Sequence, residues 1–132
     1  MILIDSNILL DISSRDPVWF PWSFSSLADC TEHAAVCINP IIFAEASVRF
    51  ASPAEFDEAW PENDLERKPL PYAAAFLAGK AHAAYRRRGG ARAATLPDFF
   101  IGAHAAVAGY KILTRDPRRF RQYFPSIELI CP

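Results

Sequence analysis

Met1-Ile2-Leu3-Ile4-Asp5 opens the chain, and the same pattern returns near its end as Ile112-Leu113-Thr114-Arg115-Asp116. Each is a short apolar run that finishes in an acid. Four consecutive apolar residues without alternation predict a strand buried on both faces, as in a parallel sheet covered by helices. In open parallel sheets, ligands bind beyond the carboxyl ends of the strands, where the chain order reverses. Asp5 and Asp116 are therefore expected to point into one cleft.

Between these two runs the pattern alternates. Ser6–Ile12 has helical spacing, with Ile8, Leu9 and Ile12 on one side, and Pro17–His33 is aromatic-rich before turning helical toward its end. Ala35–Ile38 reads as a second short strand. Asn39-Pro40 then provides a cap and a first-turn proline for a helix over Ile41–Ala51. Pro53–Glu62 predicts another helix, with Phe56, Ala59 and Trp60 turned inward. Glu66–Pro71 is a connector with room for a brief strand. Tyr72–Arg88 is an alanine-rich helix stopped by Gly89-Gly90, and Ala91–Thr95 is a polar loop. Leu96–Tyr110 is a further helix, Lys111–Thr114 a strand, Pro117–Tyr123 a short helix and Ile127–Cys131 a last strand. Strands alternating with helices predict an α/β fold, a mostly parallel central sheet of about four to five short strands flanked by helices. No repeat or domain boundary interrupts the pattern, so residues 1–132 are expected to form a single domain.

The composition is that of an ordinary globular chain, 52% apolar and 22% charged. Cys30, Cys37 and Cys131 are odd in number and lack metal-ligand spacing, so reduced thiols in a cytoplasmic protein are expected. Nothing approaches a membrane-spanning length, and the apolar start is too short for a secretory signal. The net charge of −1 hides a segregation: residues 1–66 carry 12 acids and 2 basic side chains, residues 67–132 carry 3 acids and 12 basic ones. Either the two halves pair across the folded surface, or an acidic pocket lies beside a basic surface suited to a polyanion.

Two more acids stand out. Ile41, Ile42, Glu45 and Val48 share a helical face by spacing, which puts a carboxylate on an apolar stripe where an unpaired charge is costly. Asp98 opens the helix from Leu96, and Gly102 one turn later leaves room beside it. Local explanations exist for three of the four acids. Asp5 and Asp116 sit where helix caps belong, and Thr95-x-x-Asp98 is a capping box; Glu45 lies well inside its helix and would need an arginine partner. Four acids converging on one cleft, however, would repel one another without a cation. Hard divalent ions take such oxygen ligands and, with arginines nearby, carry out phosphodiester chemistry.

Asp5-Ser6-Asn7 after an apolar strand, Glu45 in the third helix, Asp98-Phe99-Phe100-Ile101 at a late helix start, and Leu113-Thr114-Arg115-Asp116-Pro117-Arg118-Arg119-Phe120 followed by Tyr123-Phe124-Pro125 together resemble the PIN-domain nucleases, in particular the VapC-type toxins of toxin–antitoxin pairs. The likeness runs from residue 2 to residue 130, with all four acids in order. It implies a PIN-like single domain and a Mg²⁺- or Mn²⁺-dependent ribonuclease that leaves a 5′-phosphate and a 3′-hydroxyl. It implies Asp5, Asp98 and Asp116 as metal ligands and Glu45 as the group that orients or deprotonates the attacking water. By the same resemblance Ser6 supports a carboxylate, while Thr114 and Arg115 lie near the scissile phosphate. It further implies a cognate antitoxin whose tail lies along the Trp19–Phe24 side, and a homodimer, for which the alanine-rich Tyr72–Arg88 face allows close packing.

Arg86, Arg87, Arg88 and Arg92 flank Gly89-Gly90 just before Asp98, and Arg115, Arg118, Arg119 and Arg121 follow the last acid-bearing strand. Both clusters are candidates for RNA phosphate contact, against the plainer reading of solvated helix ends. A dehalogenase-type phosphotransferase would need a second acid at position 7, which is Asn7. A phospho-receiver would end its central strand in aspartate, whereas Ala35–Ile38 runs into Asn39. The alternative within the same fold is a catalytically inactive module that binds RNA or protein; such a module is expected to lack an acid, and this chain lacks none.

Overall fold

The first apolar run becomes β1 (Ile2–Ile4), and all its residues are buried. A computed structural model describes residues 1–89 and 95–132, and in it β1 is the middle strand of a five-stranded sheet. Around it lie β2 (Val36–Ile38), β3 (Glu66–Arg67), β4 (Lys111–Leu113) and β5 (Leu129–Ile130), in the order β3-β2-β1-β4-β5. Every pairing is parallel. The chain builds outward from β1 to one edge, then returns to β1's other side with β4. That reversal falls between β1 and β4, the two strands that run into Asp5 and Asp116.

The helices between the strands are α1 (Ser6–Ser13), α2 (Phe20–His33), α3 (Pro40–Ala46), α4 (Pro53–Ala59), α5 (Tyr72–Arg87), α6 (Leu96–Ala108) and α7 (Arg118–Arg121). The core is the wholly apolar centre of the sheet, with Leu3, Ile4, Cys37, Ile38, Ile112 and Leu113 sealed off, closed by Ile8, Leu9, Ile42, Phe56 and Ile101 from the helices. Each such side chain contributes about 1.5–3 kcal/mol by leaving water. α5 lays Ala74 and Ala78 against α6, so its small-residue face is used within the chain. No helix among the described residues is long and apolar enough to cross a membrane.

Several boundaries differ from the sequence expectation. α2 is helical from Phe20 onward, because Pro21 can occupy its first turn without a lost hydrogen bond. α3 stops at Ala46 and passes into a 3-10 turn over Ser47–Arg49. The Ser47 hydroxyl turns back onto the Phe43 carbonyl, a bond that bends helices, and the next helix needs Ser52 free to cap it at the Glu55 N–H. Val48 consequently leaves the apolar stripe and is 77% exposed. In α4, Phe56 is buried as expected and Trp60 half so, but Ala59 faces outward. α6 ends at Ala108, with Gly109 in the left-handed region (φ 73°) that a helix stop requires.

Candidate active site

Parallel register sets the geometry. Ile4 pairs with Leu113, so the next residues, Asp5 and Thr114, emerge side by side, and the Asp5 N–H donates to the Leu113 carbonyl at 3.0 Å. Both are fully buried. The Thr114 hydroxyl donates to Asp5 Oδ2 at 2.8 Å, and it accepts from Asn7 Nδ2 at 3.3 Å and from the Asp116 N–H at 3.1 Å. One hydroxyl thus ties the ends of β1 and β4 together.

On the other side of Asp5, the Ser6 hydroxyl lies 3.4 Å from Asp5 Oδ1 and donates to Glu45 Oε1 at 3.0 Å. Glu45 reaches this point because Asn39, at the end of β2, caps α3: its Oδ1 accepts the Ile42 N–H at 2.9 Å. With Asn39 Oδ1 so committed, its Nδ2 must donate to His104 Nδ1 at 3.0 Å, which makes that ring nitrogen an acceptor and the buried imidazole neutral. Burial also lowers the His104 pKa. His104 therefore anchors the start of α3 and takes no part at the acids.

Asp98 joins through Arg119. Its Oδ2 completes the capping box, accepting from the Thr95 N–H at 2.9 Å and the Thr95 hydroxyl at 3.3 Å, while its Oδ1 pairs with the Arg119 guanidinium. The same guanidinium lies 3.3 Å from Asp5 Oδ2. The capping box and the cleft are thus compatible uses of Asp98, one oxygen for each. Asp5 stands at the cap position of α1 yet makes no side-chain capping bond there. Nor does Asp116 cap α7; its carboxylate pairs with the exposed Arg118 at 3.1 Å.

The four acids therefore belong to one network: Glu45 through Ser6 to Asp5, Asp5 through Arg119 to Asp98, and Asp5 through Thr114 to the backbone of Asp116. Burial pushes the Asp5 carboxyl above its ordinary pKa, opposed chiefly by the Arg119 charge and then by the Thr114 hydroxyl. The donor set fits a hard divalent cation, since these groups offer carboxylate and hydroxyl oxygens, and the gap between Asp5 and Asp98 already takes a positive group. Asp29, Glu32 and His33 also have donor atoms within 4.8 Å of one another, but all three are exposed on α2, away from this network.

Some residues lie elsewhere than expected. Arg115 turns from the acids toward Asp11, with Nε 2.8 Å from Asp11 Oδ2, and its guanidinium sits 5.4 Å from the Trp19 ring centroid. Asp11 is itself buried and also accepts from the Ser23 hydroxyl at 2.8 Å. Gly102 makes room for the Phe124 ring rather than for Asp98; a methyl group there would run into that ring. Arg86, Arg87 and Arg88 are exposed at the end of α5, and Arg92 lies outside the described residues. Among the aromatics, Trp19, Phe20 and Trp22 are half-buried and Phe24 is exposed. The role of Arg119 as the bridge was not drawn from the sequence; four arginines follow β4, and only the pitch of α7 separates the one facing inward from its neighbours.

No protein-family model matches the sequence, and no curated protein matches it. Solved structures match throughout. A chain of the VapBC2 complex from Rickettsia felis, crystallised with a promoter DNA fragment, superposes with a TM-score of 0.73 at 16% identity, covering 99% of this chain and 98% of that one. A chain of the DNA-bound VapBC complex from Salmonella typhimurium gives 0.68 at 22% identity, with 98% and 96% covered. One from a toxin–antitoxin complex of Klebsiella pneumoniae gives 0.71 at 18%, again with 98% and 96% covered. The fold is thus the PIN fold found in VapBC toxin–antitoxin complexes.

Proposed function

We propose that the protein is a divalent-metal-dependent ribonuclease and the toxin of a toxin–antitoxin pair. One observation carries this reading: the carboxylates of Asp5, Glu45 and Asp98, from three separate elements, meet in a single network of hydrogen bonds and ion pairs at the sheet's point of reversal, with Asp5 fully buried and Asp116 tied in through its backbone N–H. Burying ionised carboxylates together is costly unless the site is built to receive positive charge.

Asp5, Asp98 and Asp116 would hold Mg²⁺ or Mn²⁺, which when bound polarises the scissile phosphoryl oxygen and makes hydroxide available near neutral pH. Glu45 orients the attacking water and takes its proton. Ser6 fixes Glu45 relative to Asp5, so the base and the phosphate site keep one spacing. Thr114 holds Asp5 in a single rotamer. Arg119, which pairs with Asp5 and Asp98, would offer a cationic contact to the phosphate were those carboxylates to hold the ion. The partner is an antitoxin protein, a proposal supported by the likeness to chains solved in toxin–antitoxin complexes.

The test is cleavage of RNA by the purified protein with Mn²⁺, with EDTA, and with Mn²⁺ restored. Asp5→Asn should reduce the rate at least a hundredfold. Cleavage that survives EDTA, or an Asp5→Asn enzyme of normal rate, would exclude the mechanism.

A further inference from the structure

A cleft of about 320 Å³ opens directly off the acid network, between the end of α5, the start of α6 and α7. One wall is aromatic: Tyr85, Phe99 and Tyr123, with ring centroids 5.4–5.9 Å apart. Phe99 is buried and fixes the other two, which remain half-buried at the cleft. The rest of the lining is polar and charged: Asp116, Arg118, Arg119 and Gln122. Arg119 also contacts Asp5 and Asp98, so the cleft and the proposed cutting site share a residue.

Such a lining suits one kind of occupant. Aromatic faces bind the flat, uncharged face of a nucleobase without regard to sequence, and arginines bind the phosphates on either side. Arg86, Arg87 and Arg88 follow Tyr85 in the chain and are exposed. A purely apolar peptide would not match the charged part of the lining, where Arg118 and Arg119 are paired with acids, and a bare polyphosphate would leave the rings unused.

We propose that this cleft is a nucleobase subsite: Tyr85 and Tyr123 receive one unstacked base of single-stranded RNA, next to the phosphate to be cut. The proposal rests on the ribonuclease reading and assigns it a single-stranded substrate, because a base held in a helix cannot enter. Tyr85 and Tyr123 are positioning residues; they touch a base and leave the reacting atoms to the acids.

The experiment uses the full chain in EDTA, so that nothing is cut. A fluorescent RNA hexamer and an abasic ribose-phosphate strand of the same length are titrated at several salt concentrations. The base-bearing strand should bind about 5- to 100-fold tighter. Tyr123→Leu and Tyr85→Leu should erase most of that advantage with the salt dependence unchanged, while Tyr123→Phe should keep it. A hexamer carrying 5-iodouridine should photocrosslink to the peptides containing Tyr85 or Tyr123. The wild-type comparison and the crosslink do not depend on any variant folding.

Equal binding of the two strands overturns the subsite and leaves a protein segment as the cleft's occupant. Crosslinks confined to other peptides overturn it as well. If wild-type protein cuts RNA with Mn²⁺ but fails these binding tests, only the subsite falls. If it cuts no RNA, the ribonuclease reading falls instead.

Discussion

Replacing Arg119 by Met keeps the length of the side chain and removes its charge. In the structure the guanidinium is mostly buried, 21% exposed, between Asp5, which is fully buried, and Asp98, which is 7% exposed. Breaking a buried pair by deleting one partner costs roughly 3–5 kcal/mol, because the other charge is left without compensation. The lower end applies here, since Thr114 still donates to Asp5 and Thr95 to Asp98. A loss of about 3 kcal/mol at pH 7 corresponds to a fall in Tm of roughly 10 °C for a chain of this size. A divalent cation held by Asp5 and Asp98 would offset the defect, because it would supply positive charge to the same two carboxylates. At a hundred times its dissociation constant it adds about 2.7 kcal/mol. If Asp5 and Asp98 hold the ion, Arg119 would compete with it for the same oxygens, so the variant should also bind Mn²⁺ more tightly, by about tenfold for each 1.4 kcal/mol of that competition. Thermal melts with and without Mn²⁺, together with calorimetric titration of the metal, measure both effects. Arg121→Met, on the outer side of α7, is the control and should change little. A variant as stable as wild type without metal, or an unaltered metal affinity, would refute the view of Arg119 as the counter-charge of the site.

Thr114→Val keeps the shape of a buried side chain and strips the hydroxyl from Asp5, Asn7 and the Asp116 N–H. It should destabilise the protein by about 2–3 kcal/mol and lower RNA cleavage, while Thr114→Ser should retain most of both; urea titration and initial rates decide. Gly102→Ala pushes a methyl into the Phe124 ring and should cost about 1–3 kcal/mol by overpacking, read as a lower urea midpoint at unchanged slope. His104 carries the pH prediction. Its folded pKa is lowered by burial, so below the unfolded value of about 6.5 the unfolded chain binds a proton that the native state refuses, and stability falls with decreasing pH. The urea midpoint should drop between pH 7 and pH 5, and His104→Leu should flatten that step.

The sequence disclosed the parts of the molecule whose cause is local. An apolar run leading into an acid predicts a buried strand with its carboxylate beyond the strand's carboxyl end; β1 runs straight into Asp5, and β4 reaches Asp116 after Thr114 and Arg115. Asn39-Pro40 announced the start of α3 because cap and first-turn preferences act within one turn. The end of α3 was not legible: the expected face through Val48 assumed that periodicity would continue, but the Ser47 hydroxyl and the cap of the following helix ended it first. Arg115 and Arg119 were indistinguishable as letters, both close to Asp116. What separates them is a buried acid on α1, Asp11, which holds Arg115 away, while Arg119 lies on the inward side of α7. Asp98 carried a sufficient local reason for its presence, and its second oxygen became meaningful only once α7 was placed beside it.

The central position of β1 has a consequence for the order of assembly. Its first neighbour, β2, follows after some thirty residues, but its second, β4, begins only at Lys111. At synthesis rates of roughly 5–20 residues per second, Asp5 waits about 5–20 s for Thr114 and Arg119 to be made. During that interval α1, α2 and α3 can pack on one another and on half a sheet, with one edge of β1 bare and the first acid unmatched. The catalytic set we propose cannot close before Thr114 and Arg119 have left the ribosome. Were the proposed nuclease activity present, the nascent chain would lack it, and would spare the message and the machinery making it, until β4 and α7 dock beside β1.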